Sequence, residues 1–98
     1  MERYSSRVID EQGRLVLHGT LRKKLGLETG DKISLSVVDT IVILQKVKNR
    51  PESESAVCEV DQLGMISLSK ELRQTLNWKT KDEIALYHTD NLIILKSA

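Results

Sequence analysis

The sequence predicts a mostly β protein with two short helices, one ββ-α-ββ unit used twice and closed into a small barrel. Three observations carry this expectation. The chain overlays itself without a gap at an offset of about fifty-one residues, "IDEQGRLVLHGTLRKKLGLETGDKISLSVVDTIVIL" lying on "VDQLGMISLSKELRQTLNWKTKDEIALYHTDNLIIL". Ile33, Leu35 and Val37 alternate with Lys32, Ser34 and Ser36, the period of a strand with one buried face. Aromatic residues make up only 3% of the chain and Phe is absent, so the core has to be made of Leu, Ile and Val.

Asp10, Gly13, Leu17, Leu21, Arg22, Leu25, Thr29, Asp31, Ile33, Leu35, Asp39, Ile43 and Leu44 recur as Asp61, Gly64, Leu68, Leu72, Arg73, Leu76, Thr80, Asp82, Ile84, Leu86, Asp90, Ile94 and Leu95. The copies are placed at 1–49 and 56–98. Between them 50–55, within "KNRPESESA", holds the only proline and a Ser/Glu cluster and reads as an exposed linker. One copy is too small to bury a good core. The two must pack on each other, or each on a second chain.

The elements follow from turn chemistry. Asp10-Glu11-Gln12-Gly13 carries Asp at the first and Gly at the last position of a type I turn, joining strands Ser6–Ile9 and Arg14–Leu17 as a hairpin. Asp61-Gln62-Leu63-Gly64 repeats it. Short helices follow over Thr20–Leu25 and Lys70–Leu76, with Leu21/Leu25 and Leu72/Leu76 on one face. They stop at Gly26 and Asn77, the residue types that best accept a left-handed backbone. Asp31 and Asp82, just beyond, read as turn acceptors. A second hairpin comes next: Lys32–Val37 with Ile41–Gln45, and Glu83–His88 with Leu92–Lys96. The strands "IVIL" and "LIIL" are apolar on both faces and belong between neighbours. Eight short strands suit a closed barrel better than a sheet with exposed edges.

The 98 residues, 40% hydrophobic and 30% charged, fit one soluble domain. A single cysteine, Cys58, excludes an internal disulfide framework and fits a reducing cytoplasm. No apolar run approaches the ~20 residues that span a bilayer, and "MERYSSRVID" is too polar for a signal peptide. His18 and His88 are isolated and no Cys/His spacing fits zinc; His88 is expected as a packed or rim residue and Trp78 at the core. No nucleophile–base pair, phosphate loop or carboxylate pair is visible, so no enzyme, metal site or cofactor is expected.

From Asp10 to Leu44 the pattern Asp-x-x-Gly-Arg, aliphatic strand, Leu-Arg-basic, Leu-Gly, Gly-Asp turn and closing aliphatic hairpin resembles the AbrB/MazE/SpoVT family of bacterial regulators and antitoxins. The resemblance covers nearly all of both copies. It implies an AbrB-like swapped-hairpin β-barrel, here with both units in one chain as in the MraZ arrangement, and DNA binding through arginines of the first hairpin and helix. Carried over by position, these are Arg7, Arg14, Arg22 and Lys23, with Lys24 beside them. Where the family commonly has proline before the helix, this chain has His18 and Ser69.

The second copy is an internal control. Arg7, Arg14, Lys23 and Lys24 are replaced by Cys58, Met65, Gln74 and Thr75, so the fold does not need those charges. Residues 1–50 hold ten Lys and Arg against six Asp and Glu, about +4, and residues 51–98 five against eight, about −3. A basic face and an acidic face are therefore expected behind a net charge of only +1. A local patch of cations is what duplex phosphates meet, and arginine's planar fork suits phosphates and guanine edges. Scarce aromatics argue against a single-strand stacking platform. Arg22 and Arg73, kept in both copies, read equally well as structural, for instance pairing with Asp10, Asp61 or another turn carboxylate.

The function expected is a DNA-binding transcriptional regulator acting as a homo-oligomer in the cytoplasm, on duplex DNA and not on a membrane. One alternative is an antitoxin, although the last strand is expected to end two residues before Ala98, leaving no toxin-wrapping tail. Another is an assembly module whose acidic residues Glu52, Glu54, Glu59 and Asp61 dock a basic protein partner.

Overall fold

The structure, a computed structural model, describes residues 2–47, 56–89 and 91–98, with the side chains of 2–4 and 56 excepted. The expected linker at 50–55, its Glu52 and Glu54, and Asp90 lie outside the described residues.

Each copy begins with the expected turn. Gly13 N–H donates to Asp10 O at 3.0 Å, and Gly64 N–H to Asp61 O at 3.0 Å. Both glycines stand at positive φ, 76° and 77°, where a side chain is strained. The strands flanking each turn, however, do not form a hairpin. In copy one β1 (Glu2–Val8), β2 (Arg14–Val16), α1 (Gly19–Lys24), β3 (Lys32–Val38) and β4 (Ile41–Lys46) follow one another. In copy two the order is β5 (Ala56–Glu59), β6 (Met65–Ser67), α2 (Lys70–Leu76), β7 (Glu83–His88) and β8 (Ile93–Ser97). β1 pairs with β7, β5 with β3, and β2 with β6, all antiparallel and all between copies.

The reason lies beside the turn. After one bond from Asp10 N–H to Arg14 O, 3.0 Å, the arms diverge, and Leu15 turns inward opposite Ile66. That pairing withdraws both side chains from water, worth about 1.5–3 kcal/mol each. The second hairpins form as expected, β3 with β4 and β7 with β8.

The result is a six-stranded antiparallel sheet in the order β1-β7-β8-β4-β3-β5, with β2-β6 as a separate two-stranded ribbon. Among the described residues the ladder stays open at β1 and β5 and does not close into a barrel. β4 and β8 lie centrally, as their composition required, yet only one face is fully covered. Val42, Leu44, Ile93 and Leu95 are buried, while Ile41, Ile43 and Ile94 are half-buried. Alternation along β3 also ends early: Ile33 and Leu35 are buried, but Val37 is 40% exposed beside the β3–β4 turn.

Reciprocal bonds lock the copies together. Leu17 N–H donates to Gly64 O and Leu68 N–H to Gly13 O, both at 2.9 Å. Gly30 N–H reaches Val60 O at 2.8 Å, and Lys81 N–H reaches Ile9 O at 2.7 Å. One core results, in which Ile9, Leu15, Leu17 and Leu21 cluster with Val60, Ile66, Leu68 and Leu72. Trp78 joins it as expected, 5% exposed, at the position matching Leu27.

Both helices end alike. Leu27 N–H and Trp78 N–H reach back to Arg22 O and Arg73 O at 2.8 Å, with Gly26 at φ 65° and Asn77 at φ 56°, a Schellman-type stop. They begin differently: Ser69 Oγ accepts Leu72 N–H at 3.1 Å, whereas His18 makes no side-chain cap.

Candidate nucleic-acid interface

Arg14 is set by its turn. The Asp10 carboxylate accepts the N–H groups of Gln12 and Arg14 at 2.9 and 2.8 Å, and its second oxygen takes Arg14 Nε at 2.8 Å. Arg14 Nη1 lies 4.0 Å from the Asp61 carboxylate. Asp61 in turn accepts Leu63 and Met65 N–H, both at 2.9 Å. Arg14 is thus flanked by a carboxylate from each copy, and Asp61 holds its turn as Asp10 does. The backbone N–H of Arg14, followed by its guanidinium, holds the Asp10 carboxyl below its ordinary 3.8.

Arg7 occupies the other side. Its Nη1 donates to Ser6 O at 2.9 Å. Its Nη2 lies 2.9 Å from His18 Nδ1 and also meets Nε2. A neutral imidazole nitrogen can accept that proton. Burial, and then the Arg7 charge, hold His18 below its ordinary 6.5. Arg7 is thereby brought to the start of α1.

Arg22 and Arg73 hold backbone, not a carboxylate. Arg22 Nε donates to Leu17 O at 3.0 Å and Arg73 Nε to Leu68 O at 3.1 Å, instead of pairing with a turn carboxylate. Each guanidinium lies over the turn glycine of the opposite copy. A Cβ at Gly64 would stand 2.9 Å from Arg22 Cζ, and one at Gly13 would stand 2.8 Å from Arg73 Cζ. Glycine at these turns therefore serves both the backbone angle and the arginine's approach.

Lys23 and Lys24 are exposed on α1. Arg22 and Lys23, with Gly19, Gly26, Leu27 and Glu28, line a surface pocket of about 320 Å³. At the pocket's edge Lys46 Nζ donates to Gly26 O at 2.8 Å and lies 3.4 Å from the Asp31 carboxylate. Asp31 and Asp82 accept Glu28 and Lys79 N–H at 2.8 Å, the turn roles expected of them. His88 is half-buried at the end of β7, a rim position.

Residues of the basic first copy and of the acidic second copy meet at this surface. Because α1 packs its Arg22 onto Gly64, the copy-two turn 61–64 belongs to the same surface as the copy-one helix. Arg14 approaches Asp61 of that turn and Arg7 meets His18 at the foot of that helix. Arg22, Lys23 and Lys24 thus lie on α1 and Arg7 meets His18 at its start, whereas Arg14 is held by Asp10 of turn 10–13 and approaches Asp61 of turn 61–64 at 4.0 Å. The equivalent place on the other side joins α2 to turn 10–13. Leu63, 68% exposed at the tip of turn 61–64, is the residue that repeat comparison passed over. Its signal was present, an apolar residue where copy one has Gln12.

Among the described residues no group of His, Cys, Asp or Glu is arranged to hold a metal ion, and no helix is long and apolar enough to cross a membrane.

No family model and no curated protein matches the chain. Among solved structures it is similar to the solution structure of PHS018 from Pyrococcus horikoshii, with a TM-score of 0.53 and 19% identity over 100% of this chain and 92% of that one. At that identity the likeness is one of fold.

Proposed function

We infer that the chain is a non-enzymatic, cytoplasmic DNA-binding regulator of the AbrB type, which meets duplex DNA with α1 and the turns beside it. The observation that carries this is the set of copy-one cations on and at the start of α1, Arg7, Arg22, Lys23 and Lys24, with Arg14 reaching toward turn 61–64, where copy two offers Cys58, Met65, Gln74 and Thr75 in place of Arg7, Arg14, Lys23 and Lys24. Lys23 and Lys24 project from α1 as phosphate contacts. Arg7, oriented by His18, stands at its start, and Arg14, oriented by Asp10, stands between the two turns. Arg22 supports the surface from beneath more than it reaches outward. The exchange of strands between copies supports the finer fold reading, a swapped-hairpin barrel. Two chains presenting this face in a homodimer would meet a two-fold symmetric site.

The test is affinity for a labelled duplex, taken from upstream of the chain's own gene, beside a scrambled duplex across a salt series. Replacing Lys23 with Gln and Lys24 with Thr, the residues copy two carries, should flatten the log–log salt slope by about two, since each phosphate contact contributes roughly 0.9. Absent binding at low salt, or an unchanged slope in this variant, would refute the assignment.

A further inference from the structure

Among the described residues Leu63 is the most exposed of the large hydrophobic side chains, at 68%. It does not hang on a loose loop. Its own N–H is held by the Asp61 carboxylate at 2.9 Å, as is that of Met65. Gly64 N–H closes the turn on Asp61 O at 3.0 Å, and Gly64 O takes Leu17 N–H from the other copy at 2.9 Å. The Arg22 guanidinium lies against Gly64, the next residue. A side chain presented on a turn tied down at this many points loses little freedom on contact.

Its neighbours define what it meets. Arg22 packs under the turn and Lys23 lies one residue along the same helix, lining the same pocket. An apolar tip beside cations suits a partner that offers negative charge around an apolar feature. Duplex DNA does so in its grooves, where phosphates flank the thymine methyl group and the base-step faces that leucine contacts. The pseudo-symmetric tip is Gln12, beside α2, where Gln74 and Thr75 replace the two lysines. Both sides carry cations, Lys70 and Arg73 on α2 and Arg22, Lys23 and Lys24 on α1, but of the two tips only the one packed against Arg22 of α1 is apolar.

Resting on the DNA-binding reading above, we propose that Leu63 is a specificity-determining residue that reads base edges by apolar contact while α1 holds the phosphates. The contact lies in copy two, the half that the charge count discounts, and reaches DNA only because the fold exchanges turns between copies.

The experiment enriches a duplex from a randomised library with the parent chain, then compares that duplex with its scrambled version for the parent, Leu63→Gln and Gln12→Leu. Glutamine is the residue the equivalent turn already folds with, so Leu63→Gln keeps the fold. Its affinity for the enriched duplex should fall about tenfold, the scale of one buried apolar contact, with scrambled-duplex affinity and salt slope unchanged. Gln12→Leu should leave both affinities as they are. Equal losses on both duplexes, or no loss on either, would overturn the role of Leu63, and the second result would redirect it to a partner such as an acidic protein. Failure of the parent chain to enrich any duplex would instead remove the DNA-binding reading itself.

Discussion

A methyl group at position 64 would fall 2.9 Å from Cζ and Nη2 of Arg22, on a backbone at φ 77°. Two costs follow. A left-handed alanine opposes the fold by about 1–2 kcal/mol. The clash is with the far end of a flexible side chain, so the guanidinium can move, but moving withdraws Nε from Leu17 O, 3.0 Å away. A half-buried hydrogen bond with a charged donor contributes about 1–2 kcal/mol, toward the low end for such bonds. Gly64→Ala should therefore destabilise the chain by about 2–4 kcal/mol in urea unfolding followed by circular dichroism. Repeated in an Arg22→Ala background, the same substitution should cost only the backbone share, about 1–2 kcal/mol. The double-mutant cycle isolates the difference. An equal cost for Gly64→Ala in both backgrounds would refute the packing of Arg22 on the turn. The mirrored cycle, Gly13→Ala with Arg73→Ala, should behave in the same way.

Ser69→Ala removes the only side-chain cap of the two helices and should cost about 1 kcal/mol, read as a lower urea midpoint with an unchanged slope. Asp10 is held below its ordinary 3.8 by the Arg14 and Gln12 N–H groups and the Arg14 side chain. Its contribution is therefore full above pH 3.8 and is lost as pH falls through the lower folded value. Asp10→Asn should flatten the acid limb of the stability profile, and an unaltered limb would contradict these bonds. The Cys58 thiol is pushed up to about 11 by burial, so iodoacetamide should modify it slowly at pH 8 and far faster once urea unfolds the chain. Because that folded value lies above the ordinary 9.0, the thiol's contribution is complete below pH 9 and declines as pH rises toward 11.

Much of the local structure was legible because local chemistry decides it. Asp10 and Gly13 make their turn wherever the flanking strands go, since the carboxylate, the carbonyl and the positive φ all lie within five residues. Gly26 and Asn77 stop their helices for a reason internal to each backbone. The offset of the repeat then predicted the second copy's elements from the first. Val37 was misplaced because alternation marks a face without saying how far a neighbour extends along it. Ile33 and Leu35 are buried while Val37 is 40% exposed.

Strand partners were not legible. A turn sequence specifies a reversal of the chain, but two arms that reverse can pair with each other or each with a third strand. The outcome depends on where Leu15 and Ile66 can both be buried, and that is a property of the assembled core. The same uncertainty hid the role of Arg22 and Arg73. Their recurrence showed that both copies need them, while the glycines they cover lie in the opposite copy, forty-two residues along the chain for Arg22 and sixty for Arg73.

By itself the sequence determined the repeat, the turns, the helix ends, the aliphatic core and the set of cations that copy one has and copy two lacks, all of them consequences of covalent order and short-range sterics. Only the tertiary structure decided that β1 and β5 change places between copies, that Asp61 stands near Arg14, and that the turn carrying Leu63 lies against Arg22 of α1. Those juxtapositions arise from burying two incomplete hydrophobic faces against each other, a free energy that belongs to neither copy alone.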